Sequence, residues 1–225
     1  MRKLKIIISG GGTGGHIFPA IAIAKSIEKS VLDVEFLFVG ANDRMEMQKV
    51  PAEGYRIIGL WISGIQRGFS KRNILFPFKV LHSIVKAKNI VKEFKPDLAI
   101  GTGGYASAPL LYVAAKKGIP TLIQEQNSYP GITNKILSKY VQKICVVYDG
   151  MDRFFSTEKL IHTGNPIRRE ILGFESKKVI ASMQFKIDVS KPTILVIGGS
   201  LGALSINNAI ANNIQLIMNL GINLI

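Results

Sequence analysis

The chain is predicted to fold as α/β around parallel strands, and three observations lead there. Apolar, β-branched-rich runs alternate with amphipathic helical patterns along all 225 residues, the order that builds strand–helix–strand crossovers. Glycine-rich turns follow several of those runs. The opening "LKIIISGGGTGGHIFPAIAIA" is matched near the end by "PTILVIGGSLGALSINNAIA", which repeats a strand, a glycine turn and a small-residue helix. Two Rossmann-like units are therefore expected, over residues 1–163 and 164–225, divided at the turn-forming "GNP" of 164–166. The second is expected to be truncated, because one strand–helix pair and the stub "GINLI" cannot bury a sheet face.

The first strand, 4–9, is built on Ile6, Ile7 and Ile8. It drops into five glycines, of which Gly10, Gly12 and Gly15 fit G-x-G-x-x-G, and a helix over 17–29 follows. Such a loop sets backbone N–H groups at a helix N-terminus, where the helix dipole favours an anion, so a phosphate is the expected ligand. Tight strand–helix packing alone would also call for glycine here. His16 stands directly after the last glycine, in the first helical turn. The positive helix end disfavours imidazolium and leaves a neutral imidazole suited to accept a proton; the alternative is a histidine that caps local structure. The next strand, 34–39, ends "FLFVGAND". A dinucleotide-binding domain closes this strand on an acidic residue that holds a ribose hydroxyl. Here Gly40 and Ala41 occupy that place and Asp43 comes only later, which counts against a nicotinamide-dependent oxidoreductase. A helix over 43–53 and a strand over 55–59 complete this part.

Residues 65–95 hold eight Lys/Arg against one acid, Glu93, an excess of +7 that is half the chain's +14. A helix is predicted over 74–94, with Leu81, Ile84, Val91 and Phe94 at helical spacing and expected to face the core. Ile74, Leu75, Phe76 and Phe78 are left beside Lys71, Arg72 and Lys79. Apolar residues ringed by cations suit an anionic membrane surface, the alternative being a merely solvated basic helix. The strand 97–101 then enters "GTGGYASAPLL" and a helix over 106–117, a second strand–glycine–helix unit facing the same carboxyl edge of the sheet, where open α/β sheets carry their ligand crevice. Strand 120–124 ends on that edge with "QEQNSYPG", which offers Glu125 and Asn127 for sugar hydroxyls. A helix over 131–139, strands over 143–148, 159–162 and 193–197, and a helix over 203–215 follow.

Composition bounds the function. A formal charge of +14 and a pI near 9.9 point to an anionic partner. No repeated aromatic platform or recognition motif speaks for nucleic acid. The lone cysteine, Cys145, leaves no internal disulfide and no multi-cysteine metal site, and its strand context reads as a buried thiol. The basic start "MRKLKIII" runs into a glycine loop too soon to be a signal peptide. The uncharged windows 98–115 and 193–225 are broken by glycine and by polar groups, six asparagines in the second, so neither reads as a membrane span.

Taken together, "GGGTGGHIFPAIAIA", "GTGGYASAPLL", "QEQNSYPGITNKIL", "TGNPIRREI" and "ILVIGGSLGA" resemble, in order, the MurG family. Its members are the bacterial glycosyltransferases that add N-acetylglucosamine to the undecaprenyl-pyrophosphoryl-N-acetylmuramoyl-pentapeptide carrier, lipid I, in peptidoglycan synthesis. The resemblance covers essentially the whole chain. It implies two Rossmann-like domains of the B-type glycosyltransferase fold with the active site in the cleft between them, UDP-N-acetylglucosamine as donor and inversion at the anomeric carbon. By motif, Thr13, Gly14, Gly15, Asn127, Arg168 and Ser200 would contact the donor. Gly11, Gly12, His16 and the loop Thr102, Gly103, Gly104 and Tyr105 fall on the acceptor side. The first loop would face the acceptor pyrophosphate, with the donor's pyrophosphate near the second unit's loop. His16 is the expected general base and Glu125 the second candidate. No metal and no cofactor are called for. The expected location is peripheral, on the cytoplasmic face of the cell membrane, through Lys71, Arg72, Ile74, Leu75, Phe76, Phe78 and Lys79. Two other outcomes stay open: a non-catalytic module that binds the lipid pyrophosphate, and a related transferase acting on another lipid such as diacylglycerol.

Overall fold

Strand β1 (Leu4–Gly10) is buried on both faces, with Ile6 and Ile8 turned to one side and Ile7 to the other. A strand hydrophobic on both sides needs helices above and below it, which parallel strands with crossover helices supply. The computed structural model describes residues 3–64, 74–168, 171, 173–199 and 202–225. The chain divides into two units, Met1–Arg168 and Arg169–Ile225.

In the first unit β1 is followed by α1 (Gly14–Ser30), β2 (Val34–Ala41), α2 (Glu46–Ala52), β3 (Arg56–Leu60), α3 (Phe76–Phe94), β4 (Leu98–Gly103), α4 (Ser107–Lys116), β5 (Thr121–Glu125), α5 (Ile132–Leu137), β6 (Lys143–Val146) and β7 (Leu160–His162). The seven strands form one parallel sheet in the order β3-β2-β1-β4-β5-β6-β7. The order reverses between β1 and β4, so the loops that leave those two strands diverge and open a crevice at the sheet's carboxyl edge. The two glycine-rich loops are those loops.

One face of the sheet packs Ile6, Ile8, Phe36, Phe38 and Ile100 against Ile17, Ala20, Ile21 and Ala24 of α1. The other packs Ile7, Leu37, Val39 and Ala99 against Ala87, Ile90, Val91 and Phe94 of α3 and Leu110, Leu111 and Ala114 of α4. Small residues on the helices let them approach the sheet closely. Each fully buried Ile or Leu contributes about 1.5–3 kcal/mol.

The helix over 74–94, which starts at Phe76, turns three of its four expected core residues inward. Val91 and Phe94 are buried and Ile84 partly so, but Leu81 is 63% exposed. Ser83, Ala87 and Ile90 also face inward, and Ser83 donates to the Trp61 carbonyl at 3.1 Å. Cys145 is only partly buried, and that burial pushes its thiol pKa up.

The second unit holds α6 (Lys178–Gln184), β8 (Thr193–Ile194), α7 (Leu204–Asn212), α8 (Ile214–Asn219) and β9 (Asn223–Leu224). Strands β8 and β9 pair in parallel. The single helix expected over 203–215 ends at Asn212, and α8 starts afresh after Asn213; α6 has no counterpart among the predicted helices. None of the described residues from 171 onward is buried.

Candidate active site

The β1–α1 loop bends through Gly12 at φ +88°, a conformation glycine adopts without strain. Helix α1 then starts at an uncapped Thr13, with no acidic residue in its first turn. Its first amides have no acceptor inside the helix, so they and the helix dipole face outward together. Beneath this loop lies Glu46, fully buried. Its carboxylate accepts from the Gly12 N–H with both oxygens at 3.1 Å and from the Ala41 N–H at 3.0 Å. A Cβ on Gly11 or Gly40 would overlap the Glu46 side chain. Glu46 thus ties the glycine loop to the end of β2, and both glycines are needed to admit it. No sequence signal marked it beyond a polar residue at a helix start.

The β4–α4 loop packs directly against the first. Thr102, fully buried, donates its hydroxyl to the His16 carbonyl at 2.7 Å, and the His16 ring returns through Nδ1 to the Thr102 carbonyl at 3.0 Å. A carbonyl can only accept, so Nδ1 carries the proton and the lone pair of the neutral ring lies on Nε2. Gln126 Nε2 donates to the same carbonyl at 2.9 Å. Gly103 (φ +99°) and Gly104 (φ +80°) leave no room for side chains, since a Cβ on the first would press on the His16 ring and on the second would strike the Gly11 carbonyl. Tyr105 lies over Gly12, its hydroxyl meeting Arg44. Burial, against the pull of that guanidinium, raises the hydroxyl's pKa above its ordinary value.

Glu125, at the end of β5, is 1% exposed and saturated. It accepts from the Asn127 N–H (3.0 Å), Asn127 Nδ2 (2.9 Å), the Gly131 N–H (3.1 Å) and Asn134 Nδ2 (2.9 Å). Four bonds fill the acceptor sites of a carboxylate and shape the 126–131 loop. Asn127 is itself exposed beside it.

The structure gathers Gly11, Gly12, Thr13, Gly14, Gly15, His16 and the Thr102–Tyr105 loop at one crevice. Arg168 joins them, its guanidinium 4.9 Å above the ring of Phe18 on α1. Ser200 lies outside the described residues, as do Lys71 and Arg72. Of the other residues expected at a membrane, Ile74, Leu75 and Phe78 are 70%, 49% and 65% exposed. Lys79 is partly drawn in, donating to Ser63 Oγ at 3.0 Å, and Phe76 is half-buried against a cleft of about 780 Å³. That cleft begins at His16, Gly103, Gly104 and Glu125 and runs between α3, α4 and α5. Among the described residues no group of three or more His, Cys, Asp or Glu is placed to hold a metal ion, and no helix is long and apolar enough to cross a membrane.

A parallel sheet with two glycine loops and an oriented histidine at its switch point defines a Rossmann-like ligand-binding unit. The sequence model of the glycosyltransferase family 28 N-terminal domain matches residues 6–146, and the chain belongs to that family. Among its relatives, a Cytophaga hutchinsonii protein is 56% identical over 221 residues, covering 98% of this chain and 60% of that protein. A Christiangramia forsetii protein is 54% identical over 222 residues, covering 99% and 61%. Both are named UDP-N-acetylglucosamine–N-acetylmuramyl-(pentapeptide) pyrophosphoryl-undecaprenol N-acetylglucosamine transferase. The crystal structure of Acinetobacter baumannii MurG is 28% identical, with a TM-score of 0.68 over 95% of this chain and 57% of that one. A UDP-GlcNAc 2-epimerase from Neisseria meningitidis, 15% identical at a TM-score of 0.62, shares the fold alone. The chain thus spans about 60% of the length of the curated relatives it matches.

Proposed function

We propose that this chain supplies the acceptor side of an inverting transferase that moves N-acetylglucosamine from UDP-N-acetylglucosamine to the C4 hydroxyl of lipid I. The observation that carries this reading is His16, held by the Thr102 carbonyl between two glycine loops, with Nε2 bonded to none of the described residues. In the proposed reaction Nε2 takes the proton of the acceptor hydroxyl as that oxygen attacks the anomeric carbon. The carbon–oxygen bond to UDP breaks on the opposite face, and the diphosphate carries away the electron pair. The outward amides of the first loop and α1 suit a pyrophosphate, and Arg168 beside α1 suits charge developing on a leaving group. Glu125 is a positioning residue in this scheme, because both its oxygens are spent on the 126–131 loop. The second unit, which carries "GGSLG", takes the donor side.

The membrane reading rests on Ile74, Phe78 and Leu81, exposed on one end of a basic helix. We propose peripheral attachment there, on the membrane face where nucleotide sugars are available. The test of the chemistry is transfer of radiolabelled N-acetylglucosamine to a lipid I analogue by this chain fused to the remaining C-terminal part of the Cytophaga relative. His16→Ala should lower kcat by roughly 10²–10⁴-fold with KM for the donor little changed. Full activity in His16→Ala, or transfer to diacylglycerol in place of lipid I, would sink the assignment.

A further inference from the structure

The cleft that starts at His16 does not end with the polar groups. Beyond Gly103, Gly104 and Glu125 its walls are Val80 and Ile84 of α3, Tyr112 of α4, and Ile132 and Ile136 of α5 with Tyr140 just after it. Ile132 is 79% exposed, Ile136 53% and Tyr140 37%. Apolar side chains left this open, in a cleft that starts beside the second glycine loop, match an amphiphile whose charged head precedes a hydrocarbon chain. Lys116 lies 5.9 Å from the Tyr112 ring centroid and 5.5 Å from that of Tyr140, which puts a cation at the rim and hydrocarbon inside. Phe76, at the start of α3, also lines the cleft, while the exposed Ile74 and Phe78 on either side of it do not.

We infer that this cleft is a binding groove for the first isoprene units of a polyprenyl diphosphate, the segment that joins the acceptor's diphosphate to the part of its tail left in the bilayer. The inference rests on the reading of the glycine loops as the diphosphate site. Three features commit it to this occupant. The groove is continuous with the crevice holding His16. Its polarity changes from His16, the two glycines and the hydrogen-bonded Glu125 carboxylate to aliphatic and aromatic carbon, in the same polar-to-apolar order as the ligand's. At about 780 Å³ it falls within the usual range of small-molecule sites, room for a short stretch of chain and not for a whole long tail. A groove of this kind would position the acceptor by its first prenyl carbons, so that the diphosphate lies on the loops when the sugar reaches His16.

Isothermal titration of the chain with inorganic pyrophosphate, dimethylallyl diphosphate and farnesyl diphosphate tests this without turnover. Farnesyl diphosphate should bind at least about tenfold tighter than dimethylallyl diphosphate, since added buried methylenes each strengthen binding. Ile136→Asp and, separately, Ile132→Asp, both at exposed positions that fold tolerates, should erase that gain and leave pyrophosphate binding unchanged. Ile74→Asp should leave the gain intact. Equal affinity for the two prenyl diphosphates, or a gain that survives both α5 variants, overturns the groove. So would a dimer dissociated by Ile136→Asp with no dependence on prenyl length, which would give the groove to a second copy. Farnesyl diphosphate binding that depends on Ile136 while pyrophosphate itself fails to bind would keep the groove and refute the loops as the diphosphate site.

Discussion

Residues distant in sequence meet at the crevice through a few hydrogen bonds, and Glu46 shows how much rests on one side chain. It is 34 positions from Gly12 and buried beneath it. Glu46→Gln keeps the shape but turns one acceptor into a donor, which must face a backbone N–H. An unsatisfied buried pair of this kind costs about 1–3 kcal/mol. Urea denaturation of Glu46→Gln should therefore show a lowered midpoint, and pyrophosphate binding should weaken because Gly12 keeps one of its two acceptors and meets a donor in place of the other. An unchanged midpoint would mean that Glu46 merely fills space. His16 was legible from its place after the glycines, but the choice of nitrogen was not. That choice comes from Thr102, 86 positions away, whose carbonyl accepts from both His16 and Gln126.

At the scale of elements, helix α3 tests whether periodicity or packing decides which face turns inward. Leu81 looks like a core residue by spacing, yet the small residues Ser83 and Ala87 are the fully buried ones. Leu81→Asp should change stability by less than about 0.5 kcal/mol, as surface substitutions do. Ala87→Asp should destabilise severely, since it forces a carboxylate between α3 and the sheet without a partner. Similar thermal midpoints for the two variants would mean that α3 is rotated from the position described. The second unit raises a different question, because its paired strands are two residues each and its described residues are all at least partly exposed. Backbone hydrogen bonds that no apolar layer covers open locally at little cost. Amides of β8, β9 and α7 should thus exchange with deuterium orders of magnitude faster than those of β1, β4 and β5, read peptide by peptide by mass spectrometry. Comparable protection would show that the second unit is held as firmly as the first.

For the whole molecule the governing quantities are its charge of +14 and the apolar end of α3. Each Lys or Arg near an anionic surface contributes about 1 kcal/mol, so a few cations with shallow apolar insertion give reversible attachment. Co-sedimentation with anionic vesicles should be strong at low salt and fall as the screening length drops from ~10 Å at 0.1 M toward ~3 Å at 1 M. Ile74→Asp with Phe78→Asp should remove the part that resists salt. These two are chosen because their side chains stand most exposed there, while Phe76 is turned partly toward the cleft. Failure of the unaltered chain to bind anionic vesicles at low salt would reduce the patch to a solvated helix end.

What the sequence determined by itself is whatever short-range chemistry dictates. Ile6–Ile8 can only be a strand covered on both sides, the glycines after β1 and β4 can only be tight turns into helices, and the five ordered motifs already tie the chain to one family. The alternation of strands and helices likewise brought both glycine loops to one edge of a parallel sheet. Tertiary structure decided the rest. The strand order that sets β4 beside β1 places the two loops at a switch point, and no local pattern encodes which strands become neighbours. The Thr102 carbonyl beneath His16 depends on that neighbourhood, and Glu46 reaches the first loop because β2 pairs with β1, whereas Glu125 is saturated by partners two to nine positions away. Hydrogen bonds between groups far apart in the chain are specified only when the sheet has closed around them, and so the nitrogen that His16 turns to the Thr102 carbonyl was decided by the fold and not by the sequence.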